Sequence, residues 1–510
     1  MKIQKKVIKI IVVTLVVLLQ ITITYALELE SKVGKEVLPN GLKIIMLERH
    51  DVPTVSLYIR FKVGMADEPS GRTGTAHLTE HMLFKGTTTL GTSDFKTESK
   101  ILEKIKEVGR ELDLEKLKGK KTDQEKINKL TTQLKALEEE EKRYIIKDEI
   151  DSIYTKNGAD GFNATTGSDI TSYFINLPAN KVELWARIES DRIMNPVFRE
   201  FYTERDVVYE ERNQTYESNP FRKLLEQFLA TAFMVHPYRN PVIGWGSELK
   251  YLDMNETMNF FRTYYAPNNM VIAAVGDFKQ EELLTLIKKY FGPFKRGNAL
   301  PISVTKEPDQ LGERRVSLEF EAEPRLIMGY HKPTLPEDDD YVFDLIDGIL
   351  SSGRTSRLYK RLVEEEKIVA TVQTSNGWPG ARFDNLFVIF ATPLYPHTAT
   401  EVEGIIEEEL NKLKEKPVPV KELEKIKNQY KADFIRGLAS DSGMASQLSY
   451  YEIVSGDWRY MVNFLEAIEK ITPDDIMKVA NKYFTNSNKT VAELIKKAED
   501  KKARRQEKTD

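Results

Sequence analysis

Residues 252–269 read LDMNETMNFFRTYYAPNN, and residues 471–488, lying 219 positions further on, read ITPDDIMKVANKYFTNSN. Both stretches open on a residue suited to cap a helix, Asp253 in the first and Thr472 followed by Pro473 in the second. In both, an amphipathic helical pattern ends at an aromatic pair, Tyr264 with Tyr265 or Tyr483 with Phe484. A polar turn closing on Asn269 or Asn488 then leads toward a strand. A supersecondary unit repeated at a fixed offset marks duplicated architecture. The expected fold is therefore α+β, built from two related halves, each a mixed β-sheet with helices. The linker falls at residues 296–312, with Gly297, Pro301, Pro308 and Gly312.

The first half then covers residues 27–295 and the second 313–495. In the first, residues 43–63 (KIIMLERHDVPTVSLYIRFKV) alternate apolar and polar side chains around a turn near His50 and Asp51, which reads as two strands. A helix is expected from about Thr75. Residues 95–153 differ in composition, being dense in Lys and Glu. There Ile101, Ile105, Val108 and Leu112 keep helical spacing, as do Ile127, Leu130, Leu134 and Leu137. The intervening residues 118–123 supply a turn, with Thr122 or Asp123 as a helix cap. This pattern predicts a helical hairpin inserted in the first half, either an arm that docks a partner or membrane surface or a solvated insertion. Residues 496–510 form a charged tail.

At 510 residues, with 41% hydrophobic and 10% aromatic side chains, the chain can bury more than one core. A net charge of −4 excludes the concentrated positive surface that a nucleic-acid binder needs. Residues 1–26 combine a lysine-rich start, an apolar run over 10–19 and a small residue, Ala26, which together read as a cleaved secretory signal. The protein is thus expected to be exported, to the periplasm if the cell is Gram-negative, and to meet a membrane only through this segment if it stays uncleaved. With no cysteine, disulfides, thiolate ligands and a cysteine nucleophile are all excluded.

The chemistry concentrates in His77-Leu78-Thr79-Glu80-His81. Two histidines four apart share one face of a helix and can grip one metal ion. Zinc suits this set, since a catalytic zinc takes three protein ligands and keeps a position open for water. Glu80, beside the histidines, can act as general base toward that water. Only six histidines occur in the chain, so HxxEH is a specific signal. A third ligand must come from elsewhere. Residues 204–211 (ERDVVYEE) offer carboxylates on a second expected helix, where Glu204 and Glu211, seven apart, share a face. One could bind metal and the other orient a histidine, although spacing alone leaves Glu210 and Glu211 open.

These residues resemble the inverted zincins, the family of pitrilysin, insulysin and the mitochondrial processing peptidase. The resemblance runs through HLTEHMLFKGT (77–87), GFNATTGSDITSYF (161–174), ERDVVYEER (204–212) and YYAPNNMVIAAVGDF (264–278), in order. It implies a clamshell-type zinc metallopeptidase acting on peptides or unfolded polypeptides, with one zinc per chain. It implies His77, His81 and Glu211 as ligands, Glu204 behind them, Glu80 as the catalytic base, and Asn163 and Ala164 at the substrate strand. The family's other half normally supplies an arginine and, seven residues on, a tyrosine that stabilise the oxyanion. Here the matching positions hold Val363 and Ala370, and Arg361 nearby has no tyrosine at that spacing. The resemblance therefore implies a dimer, with a homologous subunit supplying Arg and Tyr or else a second copy of this chain. The alternative is a non-catalytic, peptide-holding subunit of the same fold.

Overall fold

The computed structural model describes residues 29–302 and 305–496. The segment read as a signal, residues 1–26, lies outside them, as does the tail beyond residue 496. No helix among the described residues is long and apolar enough to cross a membrane.

Two sheets organise the chain. The first contains β1 (Gly34–Val37), β2 (Lys43–Glu48), β3 (Thr54–Phe61), β4 (Asp160–Thr166), β5 (Thr171–Pro178) and β6 (Met270–Gly276), in the order β1-β2-β6-β3-β5-β4. The second contains β7 (Arg314–Phe320), β8 (Arg325–Lys332), β9 (Val369–Trp378), β10 (Asn385–Pro393) and β11 (Lys489–Lys496), in the order β7-β11-β8-β10-β9. Apart from β1 the topologies are the same, including one parallel pair in each, β2 with β6 and β7 with β11. The two strands expected over residues 43–63 both form as β2 and β3. They do not pair with each other, because β6 inserts between them.

The helices that matter for the site are α1 (Thr75–Met82), α2 (Phe95–Lys116), α3 (Gln124–Glu141), α4 (Phe201–Arg212), α5 (Pro220–Ala232), α6 (Met254–Tyr264), α7 (Asp338–Ser351), α8 (Val420–Gly437), α9 (Asp441–Val454) and α10 (Pro473–Tyr483). The repeated stretches fold as α6 and α10, each leading through a short 3-10 turn into the central strand β6 or β11. Their closing asparagines make the same bonds. Asn269 Nδ2 donates to the carbonyls of Tyr264 (2.8 Å) and Lys62 (3.1 Å), and Asn488 Nδ2 to those of Tyr483 (2.9 Å) and His331 (2.8 Å). In both halves one side chain ties the helix end to the neighbouring strand region, which is why this residue repeats.

Each sheet has two apolar faces, and the halves cover one of them reciprocally. The back of the first sheet, with Ile45, Leu47, Val271, Ala273 and Val275, packs under Met444, Ala445 and Leu448 of α9. The back of the second, with Ile327, Leu386, Val388 and Ala492, packs under Leu224, Phe228 and Leu229 of α5. Gly329 is required there, because a Cβ would stand 2.5 Å from the Phe228 ring. A second clasp joins the halves: Arg382 bonds both oxygens of Asp67 (2.7 and 3.0 Å), and Asp169 accepts from the Ala381 amide (2.6 Å) and the Tyr238 hydroxyl (2.7 Å).

The expected hairpin appears as α2 and α3. Asp94 and Asp123 cap these helices by accepting from the amides of Thr97 and Lys126. The hairpin lies along the body. Ile101, Ile105, Val108 and Leu112 are buried in the main core, and a Cβ on Gly109 would meet the Tyr202 ring at 2.1 Å. Two buried ion pairs fasten it, Glu98 with Arg199 (2.5 Å) and Asp113 with Arg205 of α4 (2.5 Å). Removing one partner of such a pair typically costs about 3–5 kcal/mol.

Glu141, at the end of α3, is buried, and its Oε1 accepts from the Glu200 amide (3.4 Å). Burial, working against that bond, pushes its carboxyl up to about 7. The acid is therefore protonated in folded and unfolded chains below about pH 4; from there to about pH 7 the unfolded carboxyl ionises while the buried one keeps its proton, so stability falls across that window and the loss is complete above it. Glu141→Gln is expected to leave the melting temperature unchanged near pH 4 and to stabilise the protein by about 1–3 kcal/mol at pH 8. Equal melting curves at both pH values would contradict this.

Candidate metal centre

α1 is anchored at its start by Glu68, whose two oxygens accept from the amides of Gly74 (2.9 Å) and Ala76 (2.7 Å). Gly74 itself sits at φ +90°, where a Cβ would strike the Ile243 carbonyl at 2.6 Å. Ala76, Leu78 and Met82 turn into the core, which leaves His77, Glu80 and His81 on the opposite side of the helix. On α4, Tyr202, Arg205, Val208 and Arg212 are buried, and Glu204 and Glu211 face α1. Glu210 turns away toward Asn213 (3.1 Å) and Gln214 (3.4 Å). The ambiguity between Glu210 and Glu211 is thus resolved by the helix phase.

His77 Nε2 and His81 Nε2 stand 4.0 and 3.8 Å from the same Glu211 oxygen, Oε2. One ligand atom from each residue lies within 4.8 Å of the others, the only such group of three among the described residues. A tetrahedral ion with bonds of about 2.0–2.1 Å separates its ligands by roughly 3.3 Å, so this donor set fits zinc after a small contraction. Behind it, Glu204 Oε1 bonds His81 Nδ1 (2.8 Å) and Glu204 Oε2 bonds Lys85 (2.6 Å). A carboxylate on Nδ1 fixes the ring so that the Nε2 lone pair points at Glu211. The ring of His77 is held by packing, and its Nδ1 is buried without a partner.

The electrostatics suit a cation. Burial disfavours ionised Glu204, but its bonds to His81 and Lys85 outweigh that and hold the carboxyl down at about 2. Burial likewise opposes a charge on His81, yet Glu204, Glu80 and Glu211 raise its pKa. His77, buried beside His81, is lowered to about 3 and stays neutral. Glu80 Oε2 accepts from the Thr166 hydroxyl (2.5 Å), and burial raises its carboxyl against that bond. A raised carboxyl is what a general base near neutral pH requires.

His77, Glu80, Thr166 and Glu211 open on a cavity of about 460 Å³. Ala164 lines it from the edge strand β4, while Asn163 is exposed and its Oδ1 accepts from the Ala164 amide (2.9 Å). Trp378 and Pro379 reach it from the second half, and Arg222 from α5. Val363 packs against the second core, Ala370 is exposed on β9, and Arg361 is engaged by Glu408 (2.5 Å) and Glu409 (2.9 Å). The sequence reading had not singled out Lys85, Thr166, Arg222 or Trp378. Lys85 was accessible by spacing, four residues after His81. The other three converge only through the tertiary fold.

Fold and side-chain cluster together are those of the inverted zincin class. Residues 43–113 match the family model described as insulinase (peptidase family M16), and residues 252–430 match that described as peptidase M16 inactive domain. A protein named zinc protease PqqE from Helicobacter pylori is 27% identical over 471 residues, covering 90% of this chain and 91% of its own. A crystal structure of a protease from Helicobacter pylori superposes with a TM-score of 0.76 at 24% identity, covering 91% of this chain and 99% of that one. A peptidase M16 inactive domain from Pseudomonas fluorescens gives 0.72 at 16% identity, covering 91% and 98%. Over both halves the chain is thus similar to members of peptidase family M16.

Glu204→Ala is expected to weaken zinc binding by about 10–100-fold, as measured by competition with a chelator, without changing the circular dichroism spectrum. Unchanged affinity would show that Glu204 does not orient His81.

Proposed function

We propose that this chain is an exported zinc metallopeptidase that hydrolyses peptides or unfolded polypeptides. The observation that carries the reading is the convergence of His77, His81 and Glu211 with Glu80 beside them. One zinc ion, held by His77 Nε2, His81 Nε2 and Glu211 Oε2, would activate water and polarise the substrate carbonyl. The Thr166 hydroxyl occupies Glu80 Oε2, leaving Oε1 to take a proton from the attacking water and deliver it to the departing amide nitrogen. Glu204 and Lys85 keep His81 in register throughout. The outer edge of β4, beside the cavity, offers backbone groups to an extended peptide, with Asn163 and Ala164 at the contact. Export rests on the composition of residues 1–26.

We further propose that the active form is a dimer in which a homologous subunit, or a second copy, supplies the missing arginine and tyrosine. Val363 and Ala370 cannot stabilise an oxyanion, and Arg361 is committed to Glu408 and Glu409. The same three observations favour the second reading, a subunit that holds peptides without cleaving them.

A mixture of short unstructured peptides, followed by mass spectrometry, separates these. Glu80→Gln is expected to keep zinc and lose about 10²–10⁴-fold in turnover, whereas His81→Ala loses zinc as well. Undiminished cleavage by Glu80→Gln would overturn the mechanism. Binding without cleavage by the zinc-loaded chain would favour the peptide-holding reading, unless a companion subunit restored turnover.

A further inference from the structure

The 219-residue shift that relates the halves also relates two cavities. Glu211, Thr215, Pro241 and Val242 line the metal cavity, and their counterparts Tyr430, Phe434, Tyr460 and Met461 line a second cavity of about 500 Å³. The second lies between the back of the first sheet and helices α7, α8 and α9. Its chemistry is different. Tyr430 stands where Glu211 stands, and its hydroxyl donates to the Asp344 backbone carbonyl (2.7 Å). Of the acids on α7, Asp340 is neutralised by Lys332.

Two ionisable groups, Arg60 and Asp344, remain without an ion-pair partner among the described residues. Arg60 enters the cavity from β3, opposite Val271 of β6. The equivalent residue of the second sheet is Gly329, opposite Thr490, where the Phe228 ring fills the space. Arg60 is only 7% exposed. Its Nη2 donates to Ser446 Oγ (2.7 Å), its guanidinium lies over the Tyr58 and Tyr450 rings, and its Nε is buried without a partner. Among the described residues no carboxylate stands within ion-pair distance of it, and burial lowers its pKa to about 10. From another wall, Asp344 accepts from Asn376 Nδ2 (2.8 Å), and Asn376 Oδ1 is buried with no donor. Burial, with Asp340 adding to it, pushes the Asp344 carboxyl up to about 8.

An arginine desolvated without an anion is costly, and Asp344, on another wall of the same cavity, keeps its proton at neutral pH unless a cation comes to it. A ligand carrying both charges satisfies both groups. We propose that this cavity binds a free α-amino acid with an aromatic side chain, its carboxylate on Arg60, its ammonium on Asp344 and Asn376 Oδ1, and its ring among Tyr430, Tyr450 and Tyr460. The inference does not rest on the peptidase reading, because none of these residues belongs to the metal centre.

The test is calorimetric titration of the full zinc-loaded chain with phenylalanine, N-acetylphenylalanine and phenylalaninamide at pH 7. Saturable one-to-one binding of phenylalanine is expected, weakened about tenfold or more by either blocking group. Asp344→Asn, which conserves shape, should weaken phenylalanine to a similar extent and abolish the discrimination against the acetylated form; its melting curve checks that it folds. Glu211→Gln should leave the affinity unchanged. No saturable heat with phenylalanine, indifference to acetylation, or a signal lost in Glu211→Gln and kept in Asp344→Asn would each overturn the proposal.

Discussion

Neither sheet can bury both of its faces with the helices of its own half. The back of the first sheet presents Ile45, Leu47 and Val275 and is closed by α9, which comes from the second half of the chain; the back of the second presents Ile327 and Val388 and is closed by α5, from the first. Each Å² of apolar surface removed from water contributes about 25 cal/mol, so this exchange joins the halves alongside the Arg382–Asp67 clasp. It also forms the cavities, since α5 brings Arg222 to the metal centre and α9 brings Tyr450 to the second cavity.

Within that frame the candidate metal centre is a matter of helix phase. α1 is locked by Ala76, Leu78 and Met82 in the core, and α4 by Val208 and by the buried pair of Arg205 with Asp113. Because Arg205 sits on the helix that carries Glu204 and Glu211, the inserted hairpin braces the metal-facing helix from behind. His81, Glu204 and Lys85 then form a chain of charge-assisted bonds whose geometry leaves little freedom to the imidazole.

Duplication explains why two cavities exist, and divergence explains why they differ. The position that holds the carboxylate of Glu211 in one half holds Tyr430 in the other, and the second cavity gathers tyrosines and an asparagine-bound aspartate. A cation site needs converging donors with surplus negative charge, which the first half has. The second offers an unpaired guanidinium and a carboxyl that keeps its proton on separate walls, an arrangement suited to a dipolar ligand.

Much of this was legible in the sequence. Periodicity gave the duplicated α6 and α10 and the two helices of the hairpin, and the turn between those helices offered Thr122 or Asp123 as the cap that Asp123 supplies, because these depend on contacts a few residues apart. The HxxEH spacing brought His77, Glu80 and His81 to one face for the same local reason. The pairing order was not legible: β2 and β3 are neighbours in sequence, yet β6 separates them, since strand pairing is decided by which apolar faces must be covered together. Nor could spacing alone separate Glu211 from Glu210, which required knowing which side of α4 the core occupies. Thr166, Trp378 and Arg60 lie far in sequence from the groups they face, and no periodicity connects them. By itself, the sequence determined the elements, their duplication and the residue types of the candidate metal centre; which side chains share a cavity was decided only when the two halves covered each other's sheets, because that burial is a property of the whole chain.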